Sequence, residues 1–212
     1  MQKFSNIFAV CFDLDGVLVN ITNIHHKSFN KTLEVFGYPV VSLENFNNLA
    51  LKGLSSSDKY RLLGVPEPLI MEMQEYKDKQ TTILTESSLF TGEAEKIDML
   101  NKLKDMGIKL ACVTNSPKDY AIELLKKVKQ YCLFDELVTR ESVKQKKPNA
   151  ECYAVAMKKL KVNPENLLCV EDSSKGVLAA KNANIKNIWH VKHPSEVNFN
   201  NLEKFVCDFK HD

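Results

Sequence analysis

An α/β fold, a doubly wound parallel sheet carrying an inserted α-helical cap, is what the 212-residue sequence predicts. Three observations carry that expectation. Short apolar runs without polar alternation recur along the chain, as strands buried on both faces of a parallel sheet require. Amphipathic stretches of helical period separate them, so strand and helix alternate. One segment, 20–86, breaks the alternation with helical patterning alone, and its place directly after the first strand marks it as an insertion. The expected division is a core of residues 1–19 and 87–212 and a helical cap of residues 20–86.

Ile7–Phe12 is the first expected strand, ending at Asp13. Within the insertion, Phe29, Leu33 and Phe36 make one helical stripe, and Leu69 to Tyr76 a second. Ile97, Leu100 and Leu103 form the next stripe, closed by Gly107, and Ile108–Thr114 is the second strand. Ala121, Leu124, Leu125 and Val128 keep the i, i+3, i+4, i+7 spacing of one buried face after a start at Ser116-Pro117. Glu136–Thr139 is a weaker third strand; Tyr153, Ala156, Met157 and Leu160 repeat the helical spacing after Pro148. Leu167–Val170 and Asn187–Val191 complete the strands, and Ser173 or Ser174 can cap a helix through Ala183. The Asn-rich tail from Ser195 reads as a last short helix or ordered extension, without an assigned role.

Composition excludes several classes of function. Charges nearly balance, at 29 Lys and Arg against 27 Asp and Glu, which argues against a basic nucleic-acid binder. No apolar run approaches the roughly 18–20 residues that span a bilayer, and the N-terminus reads as a buried strand rather than a signal peptide. The six cysteines show no CxxC pair, so a disulfide framework is not expected, and Cys11, Cys112 and Cys169 lie inside apolar runs. The expectation is a reduced, cytoplasmic, soluble and monomeric protein with no nucleic-acid or membrane partner. Only Arg61 and Arg140 are arginines, so any phosphate would be met by point-charge lysines.

In an open parallel sheet, ligands bind beyond the carboxyl ends of the strands. After strand one comes Asp13-Leu14-Asp15-Gly16, two carboxylates at a spacing that can serve one site, with a glycine for a sharp exit. After strand two comes Thr114-Asn115-Ser116, hydroxyl and amide donors at a helix start, a natural anion site. Lys147-Pro148 places a cation near the same edge, and Glu171-Asp172 follows strand four. Each feature alone is ordinary: an Asp after a strand is commonly a turn residue, and a Lys-Gln-Lys-Lys run is usually a solvated loop. Together they fall at one end of the sheet. Carboxylates gathered there would repel one another without a cation among them, and oxygen-only ligands favour Mg²⁺. Lys and hydroxyl donors facing that ion make a cradle for a phosphate, so the residues themselves point to metal-assisted phosphoryl chemistry.

The segments FDLDGVLV, TNS, KKP and VEDSSKGVLAAKNA resemble, in that order, the four motifs of the haloacid dehalogenase superfamily, over Phe8 to Val191. Within it the chain looks like the β-phosphoglucomutase-like phosphatases with a first-type helical cap. That resemblance implies Asp13 as the nucleophile that forms an aspartyl-phosphate and Asp15 as the acid and base. It implies Thr114, with the Asn115 backbone, holding phosphoryl oxygens, and Lys147 neutralising charge on the phosphate and on Asp13. The implied metal ligands of Mg²⁺ are Asp13, the Asp15 carbonyl and Asp172, with Glu171 beside it. Gly16, Ser116 and, in the cap, His25, Lys52 and Ser55 are the implied substrate contacts; Lys52 and Ser55 lie in LKGLSSSD. The implied activity is hydrolysis of a small phosphorylated metabolite, such as a sugar phosphate. A phosphomutase of the β-phosphoglucomutase type is the enzymatic alternative, but Ser56 stands where those enzymes carry a phosphate-gripping arginine. Dehalogenases and phosphonate-cleaving relatives do without the Asp15 equivalent, which is present. A non-catalytic phospho-ligand or partner-binding protein is the alternative of another class, and would be expected to have lost one of these residues. Family members usually carry Asp and Thr or Ser where Asn20 and Ile21 stand, at the entry to the cap.

Overall fold

The computed structural model describes residues 4–51, 54–90 and 94–208, with backbone alone at 49–51. The chain divides into two compact units, Met1–Asn20 with Phe90–Asp212, and Ile21–Leu89. The first is built on a five-stranded parallel sheet in the order β3-β2-β1-β4-β5. Its strands are β1 (Ala9–Phe12), β2 (Lys109–Val113), β3 (Glu136–Val138), β4 (Leu167–Glu171) and β5 (Asn187–His190). The chain runs outward from β1 through β2 to β3 and then returns to the other side of β1, so the order reverses at the centre of the sheet. That reversal opens a crevice at the carboxyl ends of the central strands.

Burial follows position in the sheet. Every residue of β1 and β4 is buried, whereas the edge strands β3 and β5 are only partly so. The uninterrupted apolar runs at 9–12 and 167–170 thus reflect helices on both faces. The cysteines of those runs are part of this packing: Cys11 and Cys169 sit in one apolar cluster with Val113, Cys152, Tyr153 and Ala156. Burial pushes the Cys11, Cys112 and Cys169 thiols well above their ordinary range, leaving them inert.

The helices of this unit are α5 (Ala94–Asp105), α6 (Lys118–Lys127), α7 (Glu151–Leu160), α8 (Ser174–Asn182) and α9 (Phe199–Asp208). In α6, Ala121, Leu124 and Leu125 are buried as their spacing requires, with Val128 at the cap. Ser173, not Ser174, caps α8: its hydroxyl accepts the Gly176 N–H at 3.1 Å. In α5 the inward face is Lys96, Met99, Leu100 and Leu103, and Ile97 is only half-buried. The expected stripe holds at Leu100 and Leu103 and differs only at its start, where Lys96 is buried in place of Ile97, because a lysine stem can cover apolar surface that hydropathy alone would refuse it. The Asn-rich tail becomes α9, and Trp189 stacks on Phe205 at 5.9 Å as part of the packing.

The helical unit comprises α1 (Thr22–Val35), α2 (Leu43–Leu51), α3 (Ser56–Leu62) and α4 (Glu67–Ser87). Its own core joins Phe29, Leu33, Phe46, Tyr60, Ile70 and Met73, with Phe29 stacked on Tyr60 at 4.8 Å. No described helix is long and apolar enough to cross a membrane.

One buried polar group works against stability. Gln130 follows α6 with its side chain fully buried, and neither amide atom has a hydrogen-bond partner among the described residues. An unmet buried amide costs about 1–3 kcal/mol. Gln130→Leu is therefore expected to raise the unfolding free energy by about 1 kcal/mol, read by urea denaturation; a decrease would show that the amide is satisfied by ordered water.

Candidate active site

The residues after β1, β2 and β4 meet at one point. Asp13 leaves the carboxyl end of β1, and its N–H still pairs with Val170 of β4 at 3.0 Å. The chain then turns tightly, with Gly16 N–H donating to Val19 C=O at 2.9 Å and Leu18 N–H to Leu14 C=O at 3.0 Å. Thr114 continues from β2, its N–H bonded to Val138 of β3 at 2.9 Å. Glu171 is the last residue of β4 rather than the first of the following loop, and is fully buried. Strand geometry thereby sets where three of the functional side chains begin.

Lys147 ties them together. Its ammonium donates to Asp13 Oδ1 at 2.9 Å, to Glu171 Oε1 at 2.6 Å and to the Val113 carbonyl at 2.6 Å. Burial alone would pull this amine's pKa down, but the Asp13 and Glu171 charges outweigh it and hold the group well above its ordinary value. A Lys-Gln-Lys-Lys run taken alone would be a solvated loop, but its last member, expected to place a cation at this edge, is only 6% exposed. The Lys147-Pro148 peptide bond is cis.

Carboxylates outnumber this cation. Asp13, Glu171 and Asp172 each offer an oxygen within 4.8 Å of the others. Burial, then Asp13, Glu171 and Asp15, push Asp172 up to about 8. Burial raises Glu171 to about 7, against the pull of Lys147. The Glu171 Oε2 atom is buried with no hydrogen-bond partner among the described residues. An excess of closely spaced hard oxygens with one buried acceptor unmet fits a divalent cation, of the kind that binds oxygen ligands. The carboxylate of Asp15 lies outside this trio and accepts instead from Ser116 Oγ at 2.7 Å.

The remaining residues of the expected site divide. Thr114 Oγ1 accepts the Ser116 N–H at 3.0 Å, so both hydrogen-bond donors of Ser116 are engaged, one with Thr114 and one with Asp15. Asn115 bonds with its side chain to the backbone of Lys147. Gly16 has φ of +88°, and a Cβ there would lie 2.0 Å from Asp172 Oδ2. In the helical unit, His25 Nδ1 accepts from Lys77 Nζ at 3.3 Å; burial, then Lys77 and Lys59, hold His25 well below its ordinary pKa. Its neighbour His26 is bonded to the Val41 carbonyl at 2.8 Å, an internal brace of the helical unit. Ser55 caps α3 in a reciprocal box with Asp58, its hydroxyl donating at 2.6 Å. Lys52 lies outside the described residues.

Sequence reasoning passed over three contributors. Tyr153, read as core from its helical spacing, donates its hydroxyl to Glu171 Oε1 and presents its ring 5.5 Å from the Lys147 ammonium. Gly176 has no room for a Cβ, which would meet Glu171 Oε2 at 1.9 Å. Arg140 donates Nε–H to the Asn115 carbonyl at 3.1 Å. Nothing in spacing separates a core tyrosine from one that reaches a carboxylate. The SSKG segment after Glu171 was the available signal for Gly176.

The chain is similar to known proteins over most of its length. A family model described as haloacid dehalogenase-like hydrolase matches residues 10–190. The chain is 31% identical over 198 residues to a phosphorylated carbohydrates phosphatase of Thermotoga maritima, covering 87% of this chain and 85% of that one. Among solved structures it is similar to CbbY from Rhodobacter sphaeroides in complex with phosphate, at 26% identity and TM-score 0.70, covering 85% and 84% of the two chains. It shares its fold with β-phosphoglucomutase from Clostridium difficile, at 23% identity and TM-score 0.74, covering 97% and 100%.

Two outcomes are expected. Asp172 ionises near 3.8 in an unfolded chain and at about 8 here. The stability that its protonated form contributes is present in full below the lower value and lost as pH rises through the higher one. In EDTA, the melting temperature of the wild type should therefore fall relative to Asp172→Asn between those values, and a divalent cation should raise it more at pH 8 than at pH 5.5. Parallel curves would remove the repulsion. Second, Gly16→Ala meets both a positive φ and the Asp172 carboxylate; it should lose about 1–3 kcal/mol in urea denaturation together with most of the cation-induced rise in melting temperature.

Proposed function

The chain belongs to the haloacid dehalogenase-like hydrolase family, and we propose that it is a Mg²⁺-dependent phosphatase of a small phosphorylated metabolite, with sugar phosphates the first class to consider. The observation that carries this reading is the Lys147 ammonium bonded at once to Asp13 and Glu171, beside Asp172, with Asp15 held by Ser116. The phosphatase named for phosphorylated carbohydrates in Thermotoga maritima supports the substrate class.

In the proposed reaction an Asp13 carboxylate oxygen forms a bond to phosphorus while the ester P–O bond on the opposite side breaks. Asp15 gives its proton to the departing oxygen. It then takes a proton from water, whose oxygen attacks the aspartyl-phosphate, and phosphate and the Asp13 carboxylate are restored. Splitting one displacement into two in this way lets a single fixed carboxylate serve as both nucleophile and leaving group. Thr114 and the Asn115 N–H would receive phosphoryl oxygens at the end of β2. Lys147, already charged and already in contact with Asp13, needs no reorganisation to face negative charge on those oxygens. A divalent cation held by Asp13, Glu171, Asp172 and the Asp15 carbonyl would supply further electrostatic stabilisation of the phosphoryl group.

The test is phosphate release from sugar phosphates, nucleotides and small phosphorylated acids, with Mg²⁺ or with EDTA. Release by the wild type with Mg²⁺ is expected, with loss in EDTA and at least a 10³-fold loss in Asp13→Asn, the order seen when a nucleophile is removed. Equal release by Asp13→Asn would overturn the assignment of the nucleophile, and silence on every ester would overturn the phosphatase.

A further inference from the structure

Asn115 does with its side chain what a neighbouring strand does with its backbone. Its Oδ1 accepts the Lys147 N–H at 3.0 Å, and its Nδ2 donates to the Lys147 C=O at 3.4 Å. A primary amide carries one acceptor and one donor face, so it can satisfy both main-chain groups of a single residue. Lys147 needs such a partner, because it lies in an irregular segment between β3 and α7, where no ladder fixes its Cα. From that Cα a flexible four-carbon stem must deliver the ammonium to Asp13, Glu171 and the Val113 carbonyl together. A shift of the Lys147 backbone would be carried to all three bonds.

Asn115 is itself held. Arg140 donates Nε–H to the Asn115 carbonyl at 3.1 Å, and the Arg140 N–H donates to the Ser116 carbonyl at 3.1 Å. The segment after β3, the β2 end and the Lys147 segment are thereby braced in series, with the Asn115 amide as the joint between the last two.

We propose that Asn115 is a positioning residue: its amide sets the Lys147 backbone so that the ammonium meets Asp13, and it acts on phosphoryl transfer through Lys147. This role is separate from any contact of the Asn115 N–H with phosphate, which every amino acid but proline could make. The proposal rests on the phosphatase reading, and Asn115→Ala separates the two roles because it removes the amide and keeps the N–H. Asn115→Asp keeps the acceptor for Lys147 N–H and replaces the donor, a smaller change that serves if the alanine variant does not fold.

The test uses the whole chain with two readouts. Hydrolysis of para-nitrophenyl phosphate with Mg²⁺ gives kcat and KM. Calorimetric binding of tungstate, a phosphate-shaped anion, is measured for wild type, Asn115→Ala, Lys147→Met and the double variant. Displacing a reacting group by about 1 Å can cost on the order of 10²-fold, so Asn115→Ala should lower kcat on the order of 10- to 100-fold with KM little changed, and Asn115→Asp should fall between. Tungstate binding should weaken in Asn115→Ala but fall no further when that change is added to Lys147→Met, since nothing is left to position. Wild-type kcat in Asn115→Ala, or equal weakening of tungstate in both backgrounds, overturns the proposal. A wild type that binds tungstate and hydrolyses neither the aryl phosphate nor any ester of the panel overturns the phosphatase reading instead, and the binding cycle then decides the role of Asn115.

Discussion

A single buried ammonium organises the core unit. Lys147 is bonded to two carboxylates and a main-chain carbonyl in surroundings that leave it 6% exposed. Burying a charge is expensive unless its partners are placed well, and removing one partner leaves the others uncompensated. The three ammonium hydrogens of lysine match the three acceptors present, so the group is satisfied. The acceptors come from β1, β2 and β4, and the arrangement holds only while those strands keep their parallel register, Val10 opposite Leu110 and Leu168. The sheet is thus the scaffold of the ion pair, and the ion pair reports on the sheet.

The same site carries an imbalance that the ammonium does not remove. Asp13, Glu171 and Asp172 crowd within 4.8 Å, and Asp172 and Glu171 are both pushed toward their neutral forms. A protein selected only for stability would replace such a cluster, since charges without full compensation are cheaper left in water. Its place in the crevice of a doubly wound sheet fits a site for a cation and an anionic ligand. The surrounding backbone has been fitted to it. Gly16 and Gly176 stand where any Cβ would displace Asp172 or Glu171, and Tyr153 reaches from α7 to share Glu171 with Lys147.

Local pattern foretold most of the architecture because the forces that set it are local or periodic. The uninterrupted runs at 9–12 and 167–170 are strands since both faces are covered, and Leu124 and Leu125 face inward since helical geometry leaves them no other side. Asp13, Thr114 and Asp172 were legible for a related reason: each follows the end of a strand, and strand ends in this fold share one edge. Lys96 escaped because hydropathy does not recognise a buried lysine stem. Ser55 reads on paper as a substrate contact, and the structure shows the same hydroxyl capping α3, since a hydroxyl serves backbone and substrate with the same atoms.

What the sequence by itself determined is the alternation of strand and helix, the helical segment after β1, and the set of acids and hydroxyls that gather at one sheet edge. Those follow from periodicity and from the rule that the carboxyl ends of parallel strands share one edge of the sheet. What only the tertiary structure decided is the partnership of each group: that Lys147 turns inward from a lysine-rich loop, that Ser116 spends its hydroxyl on Asp15, that Tyr153 serves Glu171, and that Asn115 clasps Lys147. Such pairings join residues up to 134 positions apart, as Asp13 and Lys147 show. No periodicity links positions so distant; their meeting is fixed by how strands and helices pack in three dimensions.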